Sequence, residues 1–425
     1  MTKRQIAQIT LEAETPLKVG SIHADFWQDS PIQRDWNGLP IILGTSIAGV
    51  LRKDFEGDDS DIFGDDDGSK VIFSNALLVD ETNQVNEGLL LEKSDFLRLF
   101  DNLPIREHTA ITEKGVAKEH GKFDEEVVYK GSRFRFSIEM LDDPKAFDAL
   151  IELLQRPSFR LGGGSTKGFG KFSVLRIATV TLDSIEALVT YSSSLNSDLS
   201  TLGGDGVSLV EFGAKASDFK RKPSATHTEY ILKIVPDDFF MFGSGFGDEE
   251  ADQTPVYESV IDYDNACLSD KEILFPATSI KGALAHRTAY HYNVLNRLFV
   301  GDPKARLVVT ELFGEAKNSK KAVEGSKGKI IFSDLFKPNH KETKVFDHVA
   351  IDRFTGGAVE GALFQEKTIA QSNEWEIEIL LEKGVDSIFV DAFEKALDDV
   401  CSGLLPLGGA TTKGHGVFGG TWSKS

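Results

Sequence analysis

Cysteine is scarce in this chain, with only Cys267 and Cys401 present. Two thiols so far apart make neither a disulfide framework nor a metal-binding pair, which fits a reducing compartment. No apolar run is long enough to span a membrane, and the opening "MTKRQIAQITLEAETPL" lacks the apolar stretch of a signal peptide. The expectation is a soluble, cytoplasmic protein. Positive charge is also in short supply: 47 Lys and Arg stand against 67 Asp and Glu, a formal net charge of −20. A field of that sign repels phosphates, which excludes free-standing, non-specific nucleic-acid binding but leaves room for a local basic groove. Much of the acid lies in "EGDDSDIFGDDDG" (56–68) and "DDFFMFGSGFGDEEADQ" (237–253), which read as solvated loops.

What the chain does carry is one glycine-rich loop twice, "GGGSTKGFGKF" (162–172) and "GGATTKGHGVF" (408–418). Neither is a nucleotide-binding P-loop, because Lys167 and Lys413 precede the glycine instead of following it. The same lysines stand where the dinucleotide pattern requires its last glycine. The general chemistry survives: clustered glycines allow close backbone approach, while the lysine and the hydroxyls of Ser165, Thr166, Thr411 and Thr412 offer donors to an anion. A tight helix-to-strand turn without a ligand is the plainer reading of either loop alone.

The loops close a longer series of repeats in one order. "GTSIAGVLR" (44–52) recurs as "ATSIKGALAHR" (277–287), "DIFG" (61–64) as "ELFG" (311–314), and "VIFSNA" (71–76) as "IIFSDL" (330–335). "REHTAITEKGVAKEHGKFDEE" (106–126) parallels "FDHVAIDRFTGGAVEGALFQEK" (346–367). The repeat is the size of a domain, so the chain reads as two homologous halves, 1–176 and 229–425. Residues 177–228, rich in Ser, Gly and Lys, read as a linker with some local structure.

Within each half an alternating strand ("QITLEAETPL"; "YILKIV") precedes a helix start at which Thr45 or Thr278 is expected to cap. Phe147, Leu150, Ile151 and Leu154 predict one amphipathic helix, and Phe389, Ala392, Phe393, Ala396, Leu397 and Val400 another. Each runs into a glycine loop and then a strand. The order predicts an α+β fold of two tandem ferredoxin-like (RRM-like, βαββαβ) domains with large insertions.

Together, the glycine loop after the last helix, the "TSIxG" helix start, the downstream "FG" and the "AIDRFTGGA" segment (350–358) resemble the RAMP superfamily of CRISPR effector complexes. "DSPIQRDWNGLPIILGTSIAGVLR" (29–52) is similar to the start of backbone subunits of type III complexes, and two such modules in one chain resemble the fused type III-D lineage. The resemblance implies thumb insertions at 106–126 and 346–367, a guide RNA, a target RNA and neighbouring subunits as partners, and a loosely held divalent metal such as Mg²⁺.

It also implies one catalytic aspartate per module, Asp29 before "SPIQRD" and Asp252 in the second copy, with Asp248 as the alternative. RNA supplies its own nucleophile in the 2′-hydroxyl, so a lone carboxylate can suffice where the nucleotide is held in line. His23, His108 and His348 are candidate helpers, with His108 and His348 at matching places. Arg353 offers a phosphate fork, and its counterpart is Glu113 or Lys114. For the guide backbone the expected contacts are Arg52, Lys53, Lys167, Lys171, Lys281 and Lys413. Gly162, Gly163, Gly164, Gly168, Gly408, Gly409 and Gly414 join them through the loops, and His348 and Arg353 through the second thumb. A silent guide-RNA scaffold is the alternative. A guide-processing ribonuclease would need a histidine near the glycine loop, where His415 stands opposite inert Phe169.

Overall fold

The computed structural model describes residues 3–20, 31–65, 68–112, 117–193, 198–201, 207–315, 325–339, 342–370 and 373–425. The first half opens with β1 (Arg4–Ala13), in which Ala7, Ile9, Leu11 and Ala13 alternate into one enclosed core. There follow α1 (Gly44–Asp54), β2 (Val71–Phe73), β3 (Ala76–Leu78), a protruding hairpin of β4 (Ile105–Ile111) and β5 (Ala117–Glu126), β6 (Arg133–Leu141), α2 (Pro144–Leu153) and β7 (Phe172–Leu182). β6 and β7 flank β1 antiparallel, and β2 and β3 pair with the far side of β6. β8 (Val207–Glu211) adds itself to β7.

The second half repeats the plan with β9 (His227–Pro236), α3 (Ala277–Leu295), β10 (Ile330–Phe332), a hairpin of β11 (Thr343–Ile351) and β12 (Ala358–Ala370), β13 (Trp375–Glu382), α4 (Ser387–Cys401) and β14 (Phe418–Lys424). Its sheet runs β10-β13-β9-β14, so in both halves the first core strand lies between the third and the fourth. The chain is thus mixed α+β with a duplicated layout.

The helices before the glycine loops start on side-chain caps, Asp143 accepting from the Ala146 N–H and Asp386 from the Ile388 N–H. They bury Phe147, Leu150 and Leu154, and Ala392, Phe393, Ala396, Leu397 and Val400; Ile151 and Phe389 are half-buried. The caps expected at Thr45 and Thr278 do not form. The helices begin two residues earlier, at Gly44 and Ala277, and the N–H of Gly44 donates to Asn75 Oδ1 (2.9 Å) and that of Ala277 to Asp334 Oδ1 (2.8 Å). A side chain from the next strand thus satisfies the first orphan donor.

Residues 177–228 carry local structure. β7 continues through 176 to Leu182, β8 extends the first sheet, and Phe219 is buried in the first core. Ile177, Ala178, Val180, Leu182, Leu199 and Phe219 of this stretch are buried, whereas Ile185, Leu188, Val189, Leu209 and Val210 are exposed.

Two large apolar cores result, one almost entirely from residues before 220 and one from residues after 229, with a third, small cluster of Ile6, Ala178, Val180, Leu182 and Leu199. Between them the junction is polar. Arg106 of β4 is enclosed and reaches Glu258 (2.8 Å from Nη2) and Asp334 (2.5 Å from Nη1) of the other half. Enclosure works against its charge, and the two carboxylates outweigh it, raising its pKa. Arg160, also buried, donates to Ser333 Oγ (2.9 Å), and Lys130 pairs with Glu272 (2.8 Å).

Candidate nucleic-acid interface

The two glycine loops match hydrogen bond for hydrogen bond. The N–H groups of Gly163, Lys167 and Gly170 donate to the carbonyls of Lys18, Gly164 and Pro16; those of Gly409, Lys413 and Gly416 donate to Met241, Ala410 and Phe239. Gly162 and Gly408 take φ of 83° and 99°, and a Cβ on either would fall 2.4 Å from the Lys18 or Met241 carbonyl oxygen. The amides of Gly163, Lys167, Gly409 and Lys413 are therefore used inside the fold. This corrects the expectation of a backbone cradle for an anion at those positions.

The loops differ in what lies above them. The Gly168 carbonyl accepts from the Asp334 N–H (3.3 Å), and a Cβ on Gly168 would lie 2.3 Å from Asp334 Oδ1. Gly168, expected among the RNA contacts, is thus buried in the junction. Its counterpart Gly414 is exposed and meets nothing within 4 Å.

The hairpins match as closely. His108 pairs with Phe123 and His348 with Phe364, each imidazole stacked on the phenyl ring at 5.0 and 4.8 Å, and each hairpin has its bulge one step beyond. Two residues past each phenylalanine stands an enclosed carboxylate, Glu125 or Glu366. His108 Nε2 lies 3.4 Å from Glu125, and His348 Nε2 lies 3.2 Å from Glu366. A lysine completes each cluster, from a different loop in each half: Lys18 on Glu125 (2.5 Å) and Lys413 on Glu366 (2.8 Å). Burial pushes the Glu125 carboxyl up, but hydrogen bonds from His108 and Lys18 hold it at about 2.

Beside the second hairpin runs the loop expected to carry that module's catalytic aspartate. Asp29 and His23 lie outside the described residues. The bridges Gly20↔Ile32 and Gly243↔Pro255 nevertheless align the two loops at equal length, which sets Asp252 opposite Asp29 and Asp248 opposite Asp25 in residue count. Asp252 is exposed, and its Oδ2 accepts from the Gln365 N–H (2.7 Å) at the edge of β12. Asp248 faces the other way. Its Oδ1 accepts from the N–H groups of Glu250 and Ala251, its Oδ2 pairs with Lys367 (3.0 Å), and the lysine holds its pKa down. Of the two, Asp252 is the one left facing solvent without a cation among the described residues. Lys122 of β5 lies over the Phe246 ring at 5.7 Å, so the first hairpin borders this same loop.

The remaining expected contacts separate into free and committed groups. Lys53 and Lys167 are exposed, and no carboxylate pairs with either among the described residues. Lys281 donates to Thr166 Oγ1 (3.1 Å), and burial, with Lys167 and Lys327 nearby, lowers its pKa to about 8. Arg353 is exposed beside fully exposed Phe354, on a turn that Asp352 Oδ1 ties through the N–H groups of Phe354 (2.7 Å) and Thr355 (2.9 Å). Arg52 is committed to Asp59 (2.7 Å), Lys413 to Glu366, and Lys171 to Glu14 (3.3 Å) and Glu378 across the junction. His415 is buried between Phe239 and Phe346.

Sequence reasoning missed Lys18, Glu125, Glu366 and Lys367. The recurring Phe-x-Glu of "KFDEE" and "LFQEK" was the available signal for the two glutamates. Among the described residues no group of three or more His, Cys, Asp or Glu side chains is placed to hold a metal ion. In the second half Asp248 and Glu250 are neutralised by Lys367, leaving Asp252 alone. That set does not fit a protein-built metal centre.

A two-module α+β protein with a hairpin and a glycine loop in each module, joined by an aspartate loop in the second, is the class these observations define. The family model of the RAMP superfamily matches residues 10–173 and 268–418, more than half of the chain. The chain belongs to the RAMP superfamily, whose members are CRISPR-associated and bind RNA. No curated protein matches it. No helix among the described residues is long and apolar enough to cross a membrane.

Proposed function

We propose that the chain is a backbone subunit of a type III CRISPR ribonucleoprotein, holding the guide RNA along two fused ferredoxin-like modules and cutting complementary target RNA. The strand order, with the first core strand between the third and fourth in both sheets, supports the ferredoxin-like reading of each module. One observation carries the catalytic part. In the second module the exposed Asp252 is held against β12, next to Glu366 with its His348 and Lys413. A hairpin able to splay a strand, a buried Glu366–Lys413–His348 cluster beneath it and one exposed carboxylate beside it are parts that an in-line 2′-hydroxyl attack can use.

In this reading the Asp252 carboxylate takes the proton from the target 2′-hydroxyl, whose oxygen attacks the adjacent phosphorus. The bond to the 5′-oxygen breaks, and that oxygen gains a proton from water. Arg353 and Phe354 at the hairpin tip meet the nucleic acid, while Lys53, Lys167 and Lys281 face the guide backbone. A divalent ion would find one protein carboxylate here, that of Asp252.

The scaffold alternative keeps one specific observation in its favour, the Gln365 N–H that already occupies one Asp252 oxygen. A cleavage map of labelled target RNA in the assembled complex decides, comparing wild type with Asp29→Ala, Asp252→Ala and the double variant. Loss of one distinct cut per substitution, with binding retained, supports two nuclease sites; an unchanged map leaves the scaffold.

A further inference from the structure

Asp252 sits on a loop fastened on both sides. On its C-terminal side the backbone of Gln253 exchanges hydrogen bonds with β12, its N–H donating to Gln365 O (3.1 Å) and its carbonyl accepting from the Lys367 N–H (2.8 Å). On its N-terminal side the Lys367 side chain crosses to Asp248 (3.0 Å) and Glu250 (2.5 Å). Asp248 passes that restraint to the backbone, because its Oδ1 accepts from the Glu250 and Ala251 N–H groups (2.8 and 2.9 Å). Gly247 completes a tight reversal, in which a Cβ would stand 2.5 Å from Ala251 O. Ala251, between the fastenings, is buried. The result is a carboxylate presented to solvent from a backbone with little freedom of its own.

The first module has no lysine at the position of Lys367. Lys367 has its counterpart in Glu126, as the matched hairpin registers show. Glu126 is a carboxylate that accepts from the Ile32 N–H (2.8 Å) and pairs with Arg34 (2.9 Å). Those contacts fasten the described C-terminal end of the first loop, and the residue aligned in count with Asp248, Asp25, carries the same sign of charge as Glu126.

We propose that Lys367 is a positioning residue for Asp252, setting the carboxylate against the scissile nucleotide by clamping Asp248 and Glu250. The inference rests on the reading of Asp252 as the second module's catalytic group. Lys367 touches no RNA in this role; its charge acts on the loop. Misplacing a reacting group by about 1 Å can cost on the order of a hundredfold in rate, so a loosened loop lowers kcat and not affinity. The effect is confined to one module.

The test uses the assembled complex with labelled target RNA and follows each cut separately at saturating target. Asp252→Ala identifies the second module's cut. Lys367→Met is expected to slow that cut at least about tenfold in kcat, with KM and the first module's cut unchanged. Lys367→Arg, which keeps the charge, is expected to restore the rate to within about threefold of wild type. Asp248→Asn combined with Glu250→Gln leaves Lys367 in place and is expected to repeat the Met variant's slowing. Hydrogen exchange at the amides of Ala251 and Gln253 should quicken in both slow variants. A rise in KM at constant kcat, or equal loss of both cuts, overturns the inference by making Lys367 an RNA contact or a global support. An unchanged rate after Lys367→Met overturns it while leaving Asp252 in place, whereas cuts that survive Asp252→Ala remove the catalytic reading and the inference with it.

Discussion

Arg106 of the first module and Asp334 of the second are joined at 2.5 Å in a site sealed from water. Asp334 holds two further bonds of its own, accepting from the Ala277 N–H at the start of α3 and donating its own N–H to Gly168 O. One residue therefore caps a helix, seats a glycine loop and neutralises a foreign arginine. Removing the cation leaves Asp334 and Glu258 buried and unpaired, a change that costs about 3–5 kcal/mol. Arg106→Leu is expected to lower the melting temperature of the full chain markedly in calorimetry, and Arg106→Lys to recover only part, since an ammonium cannot span both carboxylates in the geometry of the guanidinium fork.

Gly168 and Gly414 form a matched pair for a second test. Both take positive φ, 111° and 93°, so alanine at either carries a left-handed penalty of roughly 1–2 kcal/mol. Only at Gly168 does the new methyl also meet Asp334 and Ala277, at 2.3 Å from Oδ1 and 2.8 Å from Cβ. Gly168→Ala should lose clearly more stability in urea unfolding than Gly414→Ala. Equal losses would mean that the junction yields at no cost.

Much of this was legible in the residues. The duplicated motifs, the two amphipathic helices and the glycine-loop positions follow from local periodicity and spacing, and the structure holds them where the pattern places them. What escaped depends on partners distant in the chain. Thr45 and Thr278 look like caps, yet Asn75 and Asp334 take the work from a strand away. Lys413 and Lys167 look equivalent, yet only one has a buried glutamate beneath it, because the first module recruits Lys18 instead. Gly168 and Gly414 read alike, yet only the first lies under a neighbouring module. A repeat reveals that two sites share a frame; it does not reveal which side chains have been reassigned within it.

That reassignment makes charge reversal informative. Lys167→Glu touches an exposed ammonium, so it should leave the melting temperature nearly unchanged while weakening guide RNA and reducing the salt slope by about 0.7, the share of a single neutralised phosphate. Lys413→Glu sets a second acid beside the enclosed Glu366 and is expected to cost about 3 kcal/mol or more. Thermal melts alongside salt-dependent RNA binding separate the two. A stable Lys413→Glu variant would show that Glu366 does not depend on its lysine.

Lys281 connects the junction to pH. Burial, with Lys167 and Lys327 nearby, lowers its pKa to about 8, against an ordinary value of 10.5. The folded chain without RNA therefore binds fewer protons than the unfolded chain between about pH 8 and 10.5, and this group's contribution makes stability rise with pH across that window. A phosphate against the ammonium would reverse the trend for binding, because it favours the charged form and draws a proton back. RNA affinity should then fall as pH rises from about 7.5 to about 9, and RNA binding at about pH 8.5 should take up protons, measurable as a buffer-dependent heat in titration calorimetry. Lys281→Met should flatten both dependences. Proton uptake that survives the substitution would place the titrating group elsewhere and remove Lys281 from the RNA path.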